Sequence, residues 1–348
     1  MNTYISIVSA VIAFMSVGIS LYLYRQSRRD TSYLDIDKHY LDLLKIGLDY
    51  PDLREYTKTS LFYKLDDEDD YKKRYNIYAY MCWNLVETIY DRQKDRKGQF
   101  KLSETWLPVM LEENRLHYTW YKHNIRLFKA EFQRFVTGEL NDITIVKGDI
   151  EDLKRLYTNF ERDFPQNERK SLEHLQMLMQ KKKYKLLLAK HRVFNEVIGY
   201  ALIYKVEELK ILWLDYMAID EIYQNAGYGT LLFNKILNSE KKGLVGMFLE
   251  VEIPDANNPE LCKEQERRIK FYERLGSKRL TINYELPTNE GGVPLHLYFK
   301  PTSNIRVLPK DQIKDVISST FNYIHTDVKN RDAIFSRFDE SISDEYFE

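Results

Sequence analysis

The pattern of hydrophobic and polar positions changes character along the chain. From Tyr4 to Tyr24 there are 21 residues without a charge. As a helix this stretch would be roughly 31 Å long at ~1.5 Å per residue, the thickness of a bilayer core. From residue 31 to about 140 apolar residues recur at helical spacing, first as Tyr40, Leu43, Leu44 and Leu48 ahead of Pro51. Tyr75, Tyr78, Ala79, Cys82, Leu85, Val86 and Ile89 make a second face. A third and longest pattern starts after Ser103 and runs through Leu116, Trp120, Ile125, Phe128 and Phe132 to a stop at Val136-Thr137-Gly138. These predict an all-α domain over 31–140, packed through aromatic side chains.

After Ile143 strands and helices alternate. Strands are predicted at Ile143 to Lys147, Lys185 to Lys190, Val197 to Val206, Ile211 to Ile219, Val245 to Ile253, Arg279 to Leu286 and Pro294 to Lys300. Helices are predicted from Glu151, from Asn167, at Leu231 to Lys241 and at Pro259 to Leu275. Beyond Pro301 the pattern gives one short helix, Asp311 to Tyr323, and an acidic tail over 303–348. The reading is therefore four segments: an anchor (1–25), a helical domain (31–140), an α/β domain (142–302) and a C-terminal helix with its tail.

Composition narrows the function classes. With 348 residues the chain is long enough for about two domains, and its net charge of −1 argues against a general nucleic-acid binder. Cys82 and Cys262 give neither a disulfide framework nor metal-ligand spacing, and His117 with His123 fits no zinc pattern, so no metal is predicted. No basic residue precedes the apolar N-terminal stretch, whereas Arg25, Arg28 and Arg29 follow it. That arrangement predicts an uncleaved single-pass membrane anchor with everything after residue 25 in the cytoplasm.

Gln224-Asn225-Ala226-Gly227-Tyr228-Gly229-Thr230 lies between a predicted strand and a predicted helix. Two glycines at such a junction let the backbone turn tightly around an anion, while the first amides of the helix point at it. A Walker loop would need Lys after Gly229, and a dinucleotide fingerprint would need Gly where Leu232 stands. The remaining pattern, Gln-x-x-Gly-x-Gly after a strand, resembles the acyl-CoA loop of the GNAT N-acetyltransferase superfamily. The run Arg267-Arg268-Ile269-Lys270-Phe271-Tyr272-Glu273-Arg274-Leu275-Gly276 resembles that family's late helix, at the right distance downstream. It departs at Gln265, Arg268 and Ser277, where many members carry Asn, Ala and Phe.

The resemblance covers about residues 142–302 and implies the GNAT fold, a mixed, splayed central sheet with flanking helices. It also implies acetyl-CoA as acyl donor, with Gln224 through Thr230 around the pyrophosphate. Met217, Ala218 and Ile219 would pair with the pantetheine arm, and Tyr272 would protonate the departing thiolate. The acceptor would be an amine on a small molecule, peptide or protein, and the helical domain is a candidate site for a protein partner.

An amine attacking a thioester must be neutral, and deprotonating one with a pKa near 10.4 at pH 7 costs about 4.6 kcal/mol, which calls for a base. Alternation along Val245 to Ile253 puts Phe248, Glu250 and Glu252 on one face. Glu250 and Glu252 are therefore the base candidates, with mutual repulsion expected to raise one of them; Asp215 is a third. The other class of reading is a regulatory protein that senses acyl-CoA through a weak or inactive domain, motivated by the three departures.

Overall fold

The computed structural model describes residues 33–93, 105–166, 168–193, 195–224, 226–239, 243–302 and 305–347, together with Tyr22. The predicted anchor at 4–24 otherwise lies outside the described residues, as does Asn225. Among the described residues no helix is long and apolar enough to cross a membrane. The chain divides into two compact units, residues 1–137 and 138–348.

The first unit is helical: α1 (33–49), the single turn α2 (Tyr56–Thr59), α3 (Asp70–Gln93), α4 (Trp106–Asn124) and α5 (Ala130–Phe135). Tyr75, Tyr78, Ala79, Cys82, Leu85, Val86 and Ile89 of α3 are all buried, as their spacing predicts. The longest predicted helix is instead broken into α4 and α5. Asn124 turns its side-chain amide back onto the Trp120 carbonyl at 3.0 Å, and Phe128 is extended at φ −111°, ψ 157°. That turn lets Phe128 and Phe132 reach the Trp83–Tyr121 pair, whose ring centroids are 4.2 Å apart.

Inside this unit Arg54 grips the fully buried Glu113 with two nitrogens, at 2.8 and 3.3 Å. Burial pushes the Glu113 carboxyl up, but His117 and Arg54 outweigh it and hold it down at about 2. Cys82, Glu113 and His117 bring one ligand-type atom each within 4.8 Å of one another. Both Glu113 oxygens already face the guanidinium, and His117 Nδ1 lies 3.1 Å from Tyr75 Oη. Arg54 thus supplies the cation for this cluster.

The second unit is built on a sheet in the order β1 (Ile143–Lys147), β2 (Tyr184–His191), β3 (Val197–Val206), β4 (Ile211–Ile219), β5 (Gly246–Glu252), β8 (Gly291–Pro301), β6 (Lys278–Arg279), with β7 (Glu285–Thr288) also on β8. All pairings are antiparallel except β4 with β5. Helices α6 (Ile150–Asp163) and α7 (Leu172–Gln180) join β1 to β2, α8 (Tyr228–Ser239) joins β4 to β5, and α9 (Pro259–Arg274) joins β5 to β6. Helix α7 starts later than the pattern predicts because Ser171 caps it, accepting the His174 amide at 3.2 Å. The residues just before it form a connection that returns in the site below.

The C-terminal residues are more than one helix and a tail. β9 (Val307–Leu308), α10 (Lys310–Ile324), α11 (Arg331–Phe338) and β10 (Glu345–Tyr346) follow β8, and Ile313, Val316, Ile317, Phe321, Ile334 and Phe338 join Trp213, Phe248 and Tyr284 in one core. The same segment explains the broken strand predicted from Arg279 to Leu286. The amide of Thr281 donates to Glu345 and that of Asn283 donates to Ser341 Oγ, so these backbone groups are satisfied outside the sheet. Leu212, Leu214, Met247 and Leu249 are buried as well, so both faces of the central strands are covered.

Candidate active site

Strands β4 and β5 run side by side only from Ile211↔Gly246 to Leu214↔Leu249. Beyond that point β4 stays with β3 as far as Ile219↔Gly199, while β5 stays with β8 as far as Glu252↔Leu295. The sheet forks there. Met217, Ala218 and Ile219 are paired on one edge by β3, and no strand pairs the other edge among the described residues. Where the fork opens, Leu202 of β3 faces Tyr216 and Ile203 faces Leu214, leaving Asp215 as the extra residue of a bulge.

Beyond the wide end of β4, the described residues of the predicted loop are Gln224 and Ala226 to Thr230, the last three already in α8 (Tyr228–Ser239). The Gln224 side-chain amide donates to the Ile219 carbonyl at 3.0 Å, and Ala226 is buried. Gly227 has φ +91°, a conformation L side chains rarely adopt, and a Cβ placed there meets nothing within 4 Å. The space in front of it is open, as an anion seat requires. A Cβ on Gly229 would stand 3.4 Å from Phe271 of α9. Helix α8 begins earlier than predicted, at Tyr228, whose ring turns inward so that Oη donates to the Leu140 carbonyl at 3.1 Å and lies 2.9 Å from His191 Nε2. Tyr228 and Thr230 can therefore contribute main-chain amides at a helix N-terminus, which fits a pyrophosphate.

The two glutamates of β5 have different surroundings. Glu252 is ion-paired to Arg268 of α9. Glu250 accepts a hydrogen bond from Tyr284 Oη, and burial pushes its carboxyl up to about 7, with Asp215 and Glu168 adding to the rise and Lys170 opposing it. The repulsion expected from Glu252 is not among the causes of this rise; that neighbour acts on Glu168 instead. Asp215 sits on the bulge and is itself committed, to Lys170 Nζ at 2.9 Å and to Tyr184 Oη. Tyr272 is 7% exposed beside Phe233, their ring centroids 5.7 Å apart, and burial pushes its hydroxyl up to about 12.

Of the remaining departures from the family pattern, Gln265 is used internally: it is buried and its Oε1 accepts the Asp255 amide at 2.8 Å. Ser277 is buried just beyond α9, its amide donating to the Tyr272 carbonyl at 3.0 Å, and its Oγ has no hydrogen-bond partner among the described residues. Three residues of the site carry no motif: Glu168, Lys170 and Tyr284. Glu168 is pushed up to about 7 by burial and Glu252, with Arg268 opposing. Glu168 and Lys170 belong to the connection between α6 and α7, where the only sequence signal is a cluster of charges in a proline-containing loop.

Residues 182–277 match the family model described as the acetyltransferase (GNAT) domain. No curated protein matches the chain. Among solved structures, a putative GNAT-family acetyltransferase from Bacteroides thetaiotaomicron is 20% identical, covering 54% of this chain and 100% of that one with a TM-score of 0.44. The ribosomal-protein-S18-alanine N-acetyltransferase from Escherichia coli is 24% identical over 47% of this chain and 96% of its own, TM-score 0.36. A spermidine N-acetyltransferase chimera from Vibrio cholerae is 15% identical over 46% and 95%, TM-score 0.37. The residues matched by the GNAT acetyltransferase model are those of β2 to β5, the Gly227 turn, α8 and α9; the helical N-terminal region is matched by no family model.

Proposed function

We propose that the chain transfers an acetyl group from acetyl-CoA to a primary amine by direct attack on the thioester. The single observation that carries this reading is the fork between β4 and β5, with the Gly227 anion seat at one end and Glu250 at its branch point. The main-chain amides of residues 226–230 bind the pyrophosphate, and the free edge of Met217 to Ile219 aligns the pantetheine arm and polarises the thioester oxygen. Glu250, whose carboxyl is about half ionised near neutral pH, takes a proton from the ammonium or from the attacking nitrogen, directly or through one water. The nitrogen lone pair forms the C–N bond, the C–S bond breaks toward sulfur, and Tyr272 gives its proton to the thiolate. Amide and free CoA are the products, and solvent reprotonates Tyr272.

Glu250 is preferred to Glu252 because Glu252 is already engaged in an ion pair with Arg268. We further propose that residues 4–24 hold this domain at the cytoplasmic face of a membrane, where its acceptor is met. Deleting residues 1–29 would then move the protein from the membrane pellet to the soluble fraction; unchanged partitioning refutes the anchor. The enzymatic reading is tested by acetyl-CoA-dependent CoA release across a panel of small amines, peptide N-termini and lysine peptides. Tight binding of acetyl-CoA with no release by any acceptor would replace it with the sensing role.

A further inference from the structure

Two opposite charges are buried at the fork with no motif to account for them. Lys170 and Asp215 have side chains 7% and 2% exposed and are joined at 2.9 Å, though 45 residues separate them. A buried ion pair is a poor way to gain stability, since desolvation of both groups offsets their attraction. Here the pair is the centre of a larger fastening. Lys170 Nζ sits 5.0 Å from the centroid of the Tyr216 ring, and the Lys170 amide donates to Tyr216 Oη at 3.2 Å. Tyr216 Oη in turn donates to the Glu168 carbonyl at 2.7 Å, Tyr157 Oη donates to the Lys170 carbonyl at 3.3 Å, and Tyr184 Oη donates to Asp215.

The ion pair and the two Tyr216 hydrogen bonds tie one connection, between α6 and α7, to one irregular point of the sheet, the bulge at Asp215 where β4 leaves β5, while Tyr157 holds the connection from α6 and Tyr184 holds Asp215 from β2. We propose that Lys170 is a positioning residue: with Asp215 it clamps the α6–α7 connection onto the bulge and supplies the positive charge beside which Glu250 works. This rests on the reading of Glu250 as the base. The charged and titratable groups around Glu250 are Tyr284, Asp215 and Tyr216 of β4, and Lys170 and Glu168 of the connection; Tyr184 of β2 and His325 at the end of α10 face the pair itself. Among them Lys170 is the cation that opposes the rise in Glu250, while Asp215 and Glu168 promote it.

The test uses the full chain and its best acceptor from the amine panel. In Lys170→Met the acidic limb of kcat/KM should move up by about one pH unit, with the acetyl-CoA Kd unchanged within about twofold. In Lys170→Met/Asp215→Asn the two opposite effects cancel, so the limb should return to within about half a unit of the wild type. With the clamp gone, kcat should still fall about tenfold or more. An unmoved limb in a folded Lys170→Met overturns the inference. Should that variant fail to fold, the double variant, which leaves no unpaired charge, decides: an unchanged kcat overturns the clamp, a fallen kcat with intact Kd supports it. Glu250→Gln is the control. Full activity there overturns the base and this inference with it, whereas an inactive Glu250→Gln beside an unmoved Lys170→Met limb overturns the inference alone.

Discussion

Glu250→Gln should make the protein less active and more stable, and the two effects should follow the same titration. The carboxyl titrates at about 7 in the folded chain against 4.5 for an ordinary glutamate, with burial the leading cause. A raised carboxyl pKa means that the folded state holds the proton more tightly. Its stability contribution is fully present below pH 4.5 and is lost as the pH rises through about 7. The gap corresponds to roughly 3 kcal/mol at pH 8, an upper figure because the site can relax and admit water. Even a third of it moves the melting temperature by about 2–4 °C for a unit of this size. Glutamine keeps the oxygen that accepts from Tyr284 and never ionises. Melting curves of the two proteins should therefore meet below pH 4.5 and separate steadily up to pH 8, the variant melting higher.

Over the same range kcat/KM should be lower in the variant by about 10²- to 10⁴-fold at pH 8. The ratio of wild type to variant should fall as the pH drops below 7; the acceptor's own titration is common to both and cancels. Parallel melting curves from pH 5 to 8 would show that Glu250 is not held above its ordinary range, and a variant retaining a tenth of the activity would remove it as the base.

Other outcomes follow from the same geometry. Gly227→Val combines a strained φ with a branched side chain in the open seat, so the thermal shift given by acetyl-CoA should vanish; a preserved shift would place the pyrophosphate elsewhere. Tyr272→Phe keeps the ring against Phe233 and removes only the proton donor, so kcat should drop about ten- to a hundredfold with acetyl-CoA affinity intact, as measured by calorimetry beside steady-state kinetics. Arg54→Met strands the buried Glu113 carboxylate, at a cost of about 3–5 kcal/mol to the helical unit, read as an earlier loss of helical circular dichroism on heating.

What the sequence discloses about this site divides along a physical line. Gly227, the fork strands, the Glu face of β5 and Tyr272 are legible because each answers a local requirement: a positive φ, a two-residue alternation, a place in a helical motif. The clamp is not legible, because burying Lys170 runs against every hydrophobic pattern and its partner is 45 residues away. Nor is the packing of α10 and α11, since an amphipathic helix declares that it has a buried face without naming the sheet that covers it. The same division explains why Glu252 looks equivalent to Glu250 on paper. Alternation places both on one face, but a replacement on another element, Arg268, reaches back and neutralises one of them. Arg268 thus reads in sequence as a lost cofactor contact and acts in the structure as the residue that separates two candidate bases. A departure from a family pattern is then no argument for lost activity until its side chain has been followed to its partner, and here the partner engages Glu252 and leaves Glu250, with Glu168 of the α6–α7 connection, as the carboxyls pushed up to about 7.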